Sequence, residues 1–129
     1  MNTRVLIVDD EDNVLDAFRR QYGRHYEVHS ASDAWEALQI LEDHGPFAVV
    51  VSDWKMPKID GVQFLGEVMR RAPETSRIML TGHAAHHLAV DAVNRGYLFR
   101  FHSKPCDSVE LFHSIQDGVE RFQATSIGA

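Results

Sequence analysis

The chain alternates short apolar runs with amphipathic segments five times, and that order leaves few folds open. Residues 5–8, 47–51 and 78–80 are apolar throughout, as strands covered on both faces of a parallel sheet would be. Residues 26–29 and 98–101 instead alternate, which suits half-covered edge strands. Between the strands, apolar residues recur at helical spacing. Val14, Leu15, Phe18 and Tyr22 form one stripe; Ala34, Ala37, Leu38 and Leu41 a second; Leu65, Val68, Met69 and Ala72 a third. Ala89, Ala92 and Val93 form a fourth, and Leu111, Phe112, Ile115, Val119 and Phe122 a fifth. Asp33 with Glu36, and Asp107 with Glu110, have capping-box spacing at helix starts. Gly23, Gly45 and Gly96 stand where helices should stop. The expected fold is α/β: a doubly wound five-stranded parallel sheet, order 2-1-3-4-5, with helices on both faces. One domain should span residues 1–123, with 124–129 as a frayed tail or the stub of a linker.

Composition narrows the function. The 129 residues carry a formal net charge of −6, which disfavours direct binding to nucleic acid or to an anionic membrane surface. No apolar stretch approaches the roughly 20 residues that cross a bilayer. The N-terminal apolar run is too short for a signal peptide and is followed at once by Asp9, Asp10, Glu11 and Asp12. The single cysteine, Cys106, cannot form an internal disulfide and is expected to be an inert, partly packed thiol. A cytoplasmic location is the expectation.

The polar residues that interrupt this pattern fall just past carboxyl strand ends. Asp9 and Asp10 follow the first strand, Asp53 ends the third, Thr81 ends the fourth, and Lys104 follows the fifth before Pro105. In the predicted strand order these ends meet at the crevice between strands one and three. Three carboxylates there repel one another unless a cation sits among them. Oxygen donors without His or Cys suit a hard ion, so Mg²⁺ is the expected cofactor. Asp53 can then attack phosphorus and become an aspartyl phosphate. The Lys104 ammonium would neutralise charge on the phosphoryl oxygens, and the Thr81 hydroxyl would donate to one of them.

The residues Val8-Asp9-Asp10, Asp53-Trp54-Lys55-Met56-Pro57, Asp60-Gly61, Leu80-Thr81-Gly82 and Lys104-Pro105 resemble the receiver domain of two-component response regulators. The resemblance runs from about residue 3 to residue 122. It implies a flavodoxin-like fold and a phosphorylation-dependent signalling switch that is not a conventional enzyme. It implies phosphoryl transfer to Asp53 from a sensor histidine kinase or a phosphotransfer protein. It also implies Mg²⁺ held by Asp10, by Asp53, by Asp9 partly through water, and by the backbone carbonyl of Lys55. Thr81 and Phe101 take the switch positions, with the surface of helix four, strand five and helix five as the responding face. Lys55 and His83, whose counterparts border the phosphoryl group, are expected to set its lifetime. The output domain or partner is left open; a phosphorylation-dependent homodimer is one further expectation.

Other readings have specific obstacles. An aspartate-nucleophile hydrolase of the haloacid-dehalogenase kind needs an acid two residues after the nucleophile, where this chain has Lys55. A pseudo-receiver is at odds with the full set Asp9, Asp10, Asp53, Thr81 and Lys104. A flavin site lacks a phosphate-cradling loop at Ser52-Asp53-Trp54. His83, His86 and His87 are close together without a supporting Cys, and should decorate the loop into helix four. The segment 97–105 is similar to receivers that precede larger output modules, including HD-GYP-type phosphodiesterases.

Overall fold

The computed structural model describes residues 3–56, 58–82 and 86–128. Its elements run β1 (Arg4–Val8), α1 (Asp12–Tyr22), β2 (Glu27–Ala31), α2 (Ala34–His44), β3 (Val49–Asp53), α3 (Gly61–Arg71), β4 (Ser76–Thr81), α4 (His86–Asn94), β5 (Arg100–Ser103) and α5 (Ser108–Gly128). The strands form one parallel sheet in the order β2-β1-β3-β4-β5, as the alternation predicts.

The period-two alternation of the central strands splits the interior into two cores. Val5, Ile7, Val49, Val51, Ile78 and Leu80 face α1 and α5, where they meet Phe18, Tyr22, Ile115 and Phe122. Leu6, Val8, Val50 and Met79 face α2, α3 and α4, meeting Ala34, Leu38, Phe64, Val68 and Ala92. Most of these side chains are fully buried, and each buried Val, Leu, Ile, Phe or Met contributes about 1.5–3 kcal/mol of hydrophobic stabilisation. Residues of opposite parity feed opposite faces, so β1, β3 and β4 read as unbroken apolar runs.

Helix ends follow local chemistry. Asp33 and Asp107 cap α2 and α5, accepting from the backbone N–H of Glu36 at 2.8 Å and of Glu110 at 3.2 Å. The full reciprocal box lies elsewhere, on Asp60 and Gln63 at the start of α3. Gly23 and Gly45 end their helices with φ of −63° and −66°, so neither needs the left-handed region. Gly96 does: its φ is +81°. Its N–H bonds to the Val93 carbonyl at 3.0 Å and that of Tyr97 to the Ala92 carbonyl at 2.9 Å, a Schellman closure.

Three expectations shift. Both edge strands lie further along the chain than 26–29 and 98–101, because Tyr26 and Leu98 are spent packing into the two cores. Phe64, absent from the expected α3 stripe, is fully buried, while Met69 is only half-buried. Residues 124–128, expected as a frayed tail or the stub of a linker, continue α5. Among the described residues no helix is long and apolar enough to cross a membrane.

Candidate functional site

Strand register assembles the site. Val8 pairs with Ser52, so Asp9, just past the end of β1, and Asp53, the last residue of β3, stand side by side. Asp53 pairs with Leu80 in β4, and Thr81 with Ser103 in β5, which brings Thr81 and Lys104 to the same rim. The backbone N–H of Lys104 donates to the Thr81 carbonyl at 2.8 Å. The Lys104–Pro105 peptide bond is cis.

Ligand-type oxygens of Asp9, Asp10 and Asp53 all lie within 4.8 Å of one another. Asp9 is fully buried, Asp53 is buried, and Asp10 is exposed. Lys104 reaches in from β5, its Nζ 3.0 Å from Asp53 Oδ1 and 3.6 Å from Asp9 Oδ2. The other Asp9 oxygen accepts from the Glu11 N–H at 2.9 Å. Oδ2 is the one buried side-chain polar atom among the described residues without a hydrogen bond, since 3.6 Å to Lys104 is an ion pair too long to be one. Burial holds the Asp9 carboxyl above its ordinary value, with the neighbouring Asp53 and Asp10 pushing the same way against Glu11 and Lys104. Burial pulls the Lys104 ammonium down, yet its contacts with Asp53 and Asp9 outweigh that and leave it raised.

An under-bonded buried carboxylate oxygen beside two more carboxylates is a donor set short of positive charge. Its all-oxygen chemistry fits a hard divalent cation better than a transition metal. Asp10, Glu11, Asp53, Lys55 and Met56 line an open cavity of about 390 Å³ on this rim. Glu11 is the residue the sequence reading passed over, although it follows Asp10 directly. Lys55 is exposed at the cavity edge. Gly61 supports the loop from below: its N–H donates to the Trp54 carbonyl at 2.8 Å, and a Cβ there would meet the Asp53 carbonyl at 2.5 Å.

The two switch positions are less direct. Thr81 is fully buried, and its hydroxyl donates to the Gly82 carbonyl at 3.1 Å. Phe101 lies away from the crevice, half-buried against the α2-α3-α4 core and paired with Met79 across β4 and β5. Its ring meets His86 edge-on, centroids 5.0 Å apart. His86 and His87 are exposed in the first turn of α4. His83, with the lifetime role expected of it, lies outside the described residues. Cys106 is partly buried, and burial raises its thiol pKa, which suits an inert side chain.

A doubly wound sheet with acidic residues, threonine and lysine on one carboxyl rim defines a class, and comparison with known proteins agrees. The family model for the response regulator receiver domain matches residues 5–116, and the chain belongs to that family. It is 34% identical over 116 residues to the hydrogenase transcriptional regulatory protein HoxA of Cupriavidus necator, covering 90% of this chain and 24% of HoxA. The chain thus spans about a quarter of the length of that relative. A solved structure of an adenylate cyclase from Rhodopirellula baltica superposes with a TM-score of 0.96 at 30% identity, over 99% of this chain and 95% of that one. The signal receiver domain of an HD domain-containing protein from Pseudomonas fluorescens Pf-5 gives 0.88 at 30% identity, over 96% and 99%. The chain is a receiver: a phosphorylation-dependent signalling switch of a two-component system. The three relatives carry three different output names, so the likeness reaches the receiver and stops short of the output.

Proposed function

We propose that Asp53 accepts the phosphoryl group, from the phosphohistidine of a sensor histidine kinase or a phosphotransfer protein. The observation that carries this reading is the convergence of Asp9, Asp10, Asp53 and Lys104 on one rim, with Asp9 Oδ2 buried and without a hydrogen bond. Asp10, Asp53 and the Lys55 carbonyl would hold Mg²⁺ directly, and Asp9 partly through water. When bound, that ion neutralises charge on the phosphoryl oxygens.

In the transfer, an Asp53 carboxylate oxygen bonds to phosphorus while the phosphorus–nitrogen bond breaks. The electron pair leaves with the imidazole nitrogen, which then takes a proton. Lys104, already against Asp53, is placed to follow the charge onto the phosphoryl oxygens. Thr81 gives up its bond to Gly82 for one of those oxygens, and Phe101 moves into the space that opens. The face of α4, β5 and α5 changes in consequence, and an output domain, a partner or a second copy of the chain reads it. The protein assists its own phosphorylation and hydrolysis without being a conventional enzyme. Residues 1–123 form the receiver, 124–129 are a tail or the stub of a linker, and the location is cytoplasmic.

Intact-mass measurement after incubation with a small acyl-phosphate donor and Mg²⁺ tests the reading. One phosphoryl adduct is expected on the wild type and none on Asp53→Asn. An unmodified wild type, even with a phosphorylated donor protein, would instead indicate a phosphorylation-independent interaction module.

A further inference from the structure

Arg77 is a charged residue in the interior, 4% exposed on β4. Strand parity points it, like Met79 and Thr81, toward the α2-α3-α4 side; Ser76 and Ile78 face α5 and the opposite core. Its guanidinium makes four hydrogen bonds, all to main-chain carbonyls. Nε donates to Tyr97 at 2.8 Å and Nη2 to Gly96 at 3.3 Å. Nη1 donates to Thr75 at 2.9 Å and to Pro73 at 3.2 Å. Two of these carbonyls belong to the Schellman closure of α4, and two to the loop between α3 and β4. A planar fork of fixed donors is suited to joining such segments. The negative end of the α4 dipole also favours a cation there.

The opposite end of α4 is held differently. Among the described residues, His86 opens the helix and its ring meets Phe101 edge-on, while Ala89 in the next turn is buried. Phe101 pairs with Met79, which lies between Arg77 and Thr81 on the same face of β4. Four residues of strand, about 13 Å, therefore separate the phosphoryl-sensing threonine from the guanidinium, and α4 lies over that span. One end of the helix is pinned by a buried fork of hydrogen bonds; the other leans on the ring expected to move.

We infer that Arg77 is a positioning residue that pins the carboxyl end of α4, so that the response to phosphorylation is a swing of its amino end about a fixed closure at Gly96 and Tyr97. This rests on the phosphoacceptor reading for the source of the motion, though not for the pin. Arg77 is neither at the crevice nor on the responding surface. It decides which part of α4 moves.

Hydrogen exchange of the whole chain, with and without beryllofluoride and Mg²⁺, separates the possibilities. In the wild type the ligand should alter protection at residues 89–91 and leave Arg95, Gly96 and Tyr97 within about twofold. Arg77→Met keeps the aliphatic stem and removes the donors. It should speed exchange at Arg95, Gly96 and Tyr97 by at least about tenfold without ligand, and let the ligand response spread along all of α4. Arg77→Lys, which retains a buried cation with fewer fixed donors, should fall between the two, and it serves alone if Arg77→Met does not fold. The inference is overturned if the closure responds to beryllofluoride in the wild type as strongly as residues 89–91, or if both variants protect it as the wild type does. A wild type that responds nowhere, the crevice included, contradicts the phosphoacceptor reading; the unliganded comparison then decides the pin by itself.

Discussion

The ammonium of Lys104 sits 3.0 Å from Oδ1 of Asp53, so the carboxylate proposed as phosphoacceptor is engaged by a cation supplied from two strands away. That contact holds Asp53 in place, and it also competes with any metal for the same oxygen. Lys104→Met should therefore bind Mg²⁺ at least as tightly as the wild type. Its phosphorylation should slow by about 10²-fold, the typical effect of removing one charge-stabilising donor. Mg²⁺ titration followed by Trp54 fluorescence, beside phosphorylation kinetics, checks both halves.

Asp9 provides a test on stability. Its folded pKa is raised above the ordinary 3.8, chiefly by burial. A raised carboxyl means the native state holds its proton longer than the unfolded chain does. This group's contribution to the metal-free protein therefore falls as pH rises from 3.8 through the folded value, and stays unfavourable at neutral pH. Asp9→Asn should stabilise the metal-free protein at pH 7, by about 1–3 kcal/mol if the desolvated, under-bonded oxygen dominates. Saturating Mg²⁺ should stabilise the wild type and do much less for the variant. Urea unfolding with Mg²⁺ and with EDTA measures both effects.

His102 should act at the acid end. It packs against α5, its Nε2 2.7 Å from Ser114 Oγ. Burial lowers its pKa below 6.5, with Arg100 adding to the effect and Glu110 opposing it. The unfolded chain therefore binds the proton first. The stability associated with neutral His102 is whole above pH 6.5 and lost as pH falls through the folded value. His102→Asn should show a shallower loss of stability than the wild type between pH 7 and 5. Identical slopes for the two proteins would contradict this.

Gly61 is irreplaceable for a local reason. An added Cβ would lie 2.5 Å from the Asp53 carbonyl oxygen and 3.0 Å from Trp54 Cα, both backbone. Gly61→Ala should cost about 1–3 kcal/mol and weaken Mg²⁺ binding by displacing the loop that carries the Lys55 carbonyl. Thermal melts and Mg²⁺ titration of the variant test the two consequences separately.

Lys55 lines the same cavity as Asp10 and Asp53 but makes no part of the carboxylate cluster. Lys55→Ala should leave Mg²⁺ affinity nearly unchanged and shorten the life of the phosphorylated form by roughly threefold or more, as a nearby positive charge is lost. Equal lifetimes would remove Lys55 from the account.

The legible parts of the sequence were those where one physical signal dominates. Continuous apolar runs marked β1, β3 and β4, and carboxylates at strand ends marked the crevice, because burial and charge conflict openly there. Arg77 was illegible for the same reason inverted. A charged residue ahead of an apolar run reads as solvent-exposed, so the apolar run alone marks a strand from Ile78; four backbone carbonyls, scattered in sequence, make the burial of Arg77 possible. The segment 98–101 alternates correctly for a strand, yet Leu98 packs into the core and Phe99 carries the guanidinium groups of Arg100 and Arg121 at 4.8 and 5.7 Å. Both jobs precede the ladder, which starts at Arg100. Side-chain roles that depend on partners from distant segments leave no periodicity to read.

The most direct test of the central claim is to find where the phosphoryl group goes. Borohydride reduction of the phosphorylated protein converts an aspartyl phosphate to homoserine, which peptide sequencing by mass spectrometry can place. Homoserine at position 53 alone is the predicted result. Homoserine at Asp9 or Asp10, or a phosphorylated protein with no reducible acyl phosphate, would contradict the account.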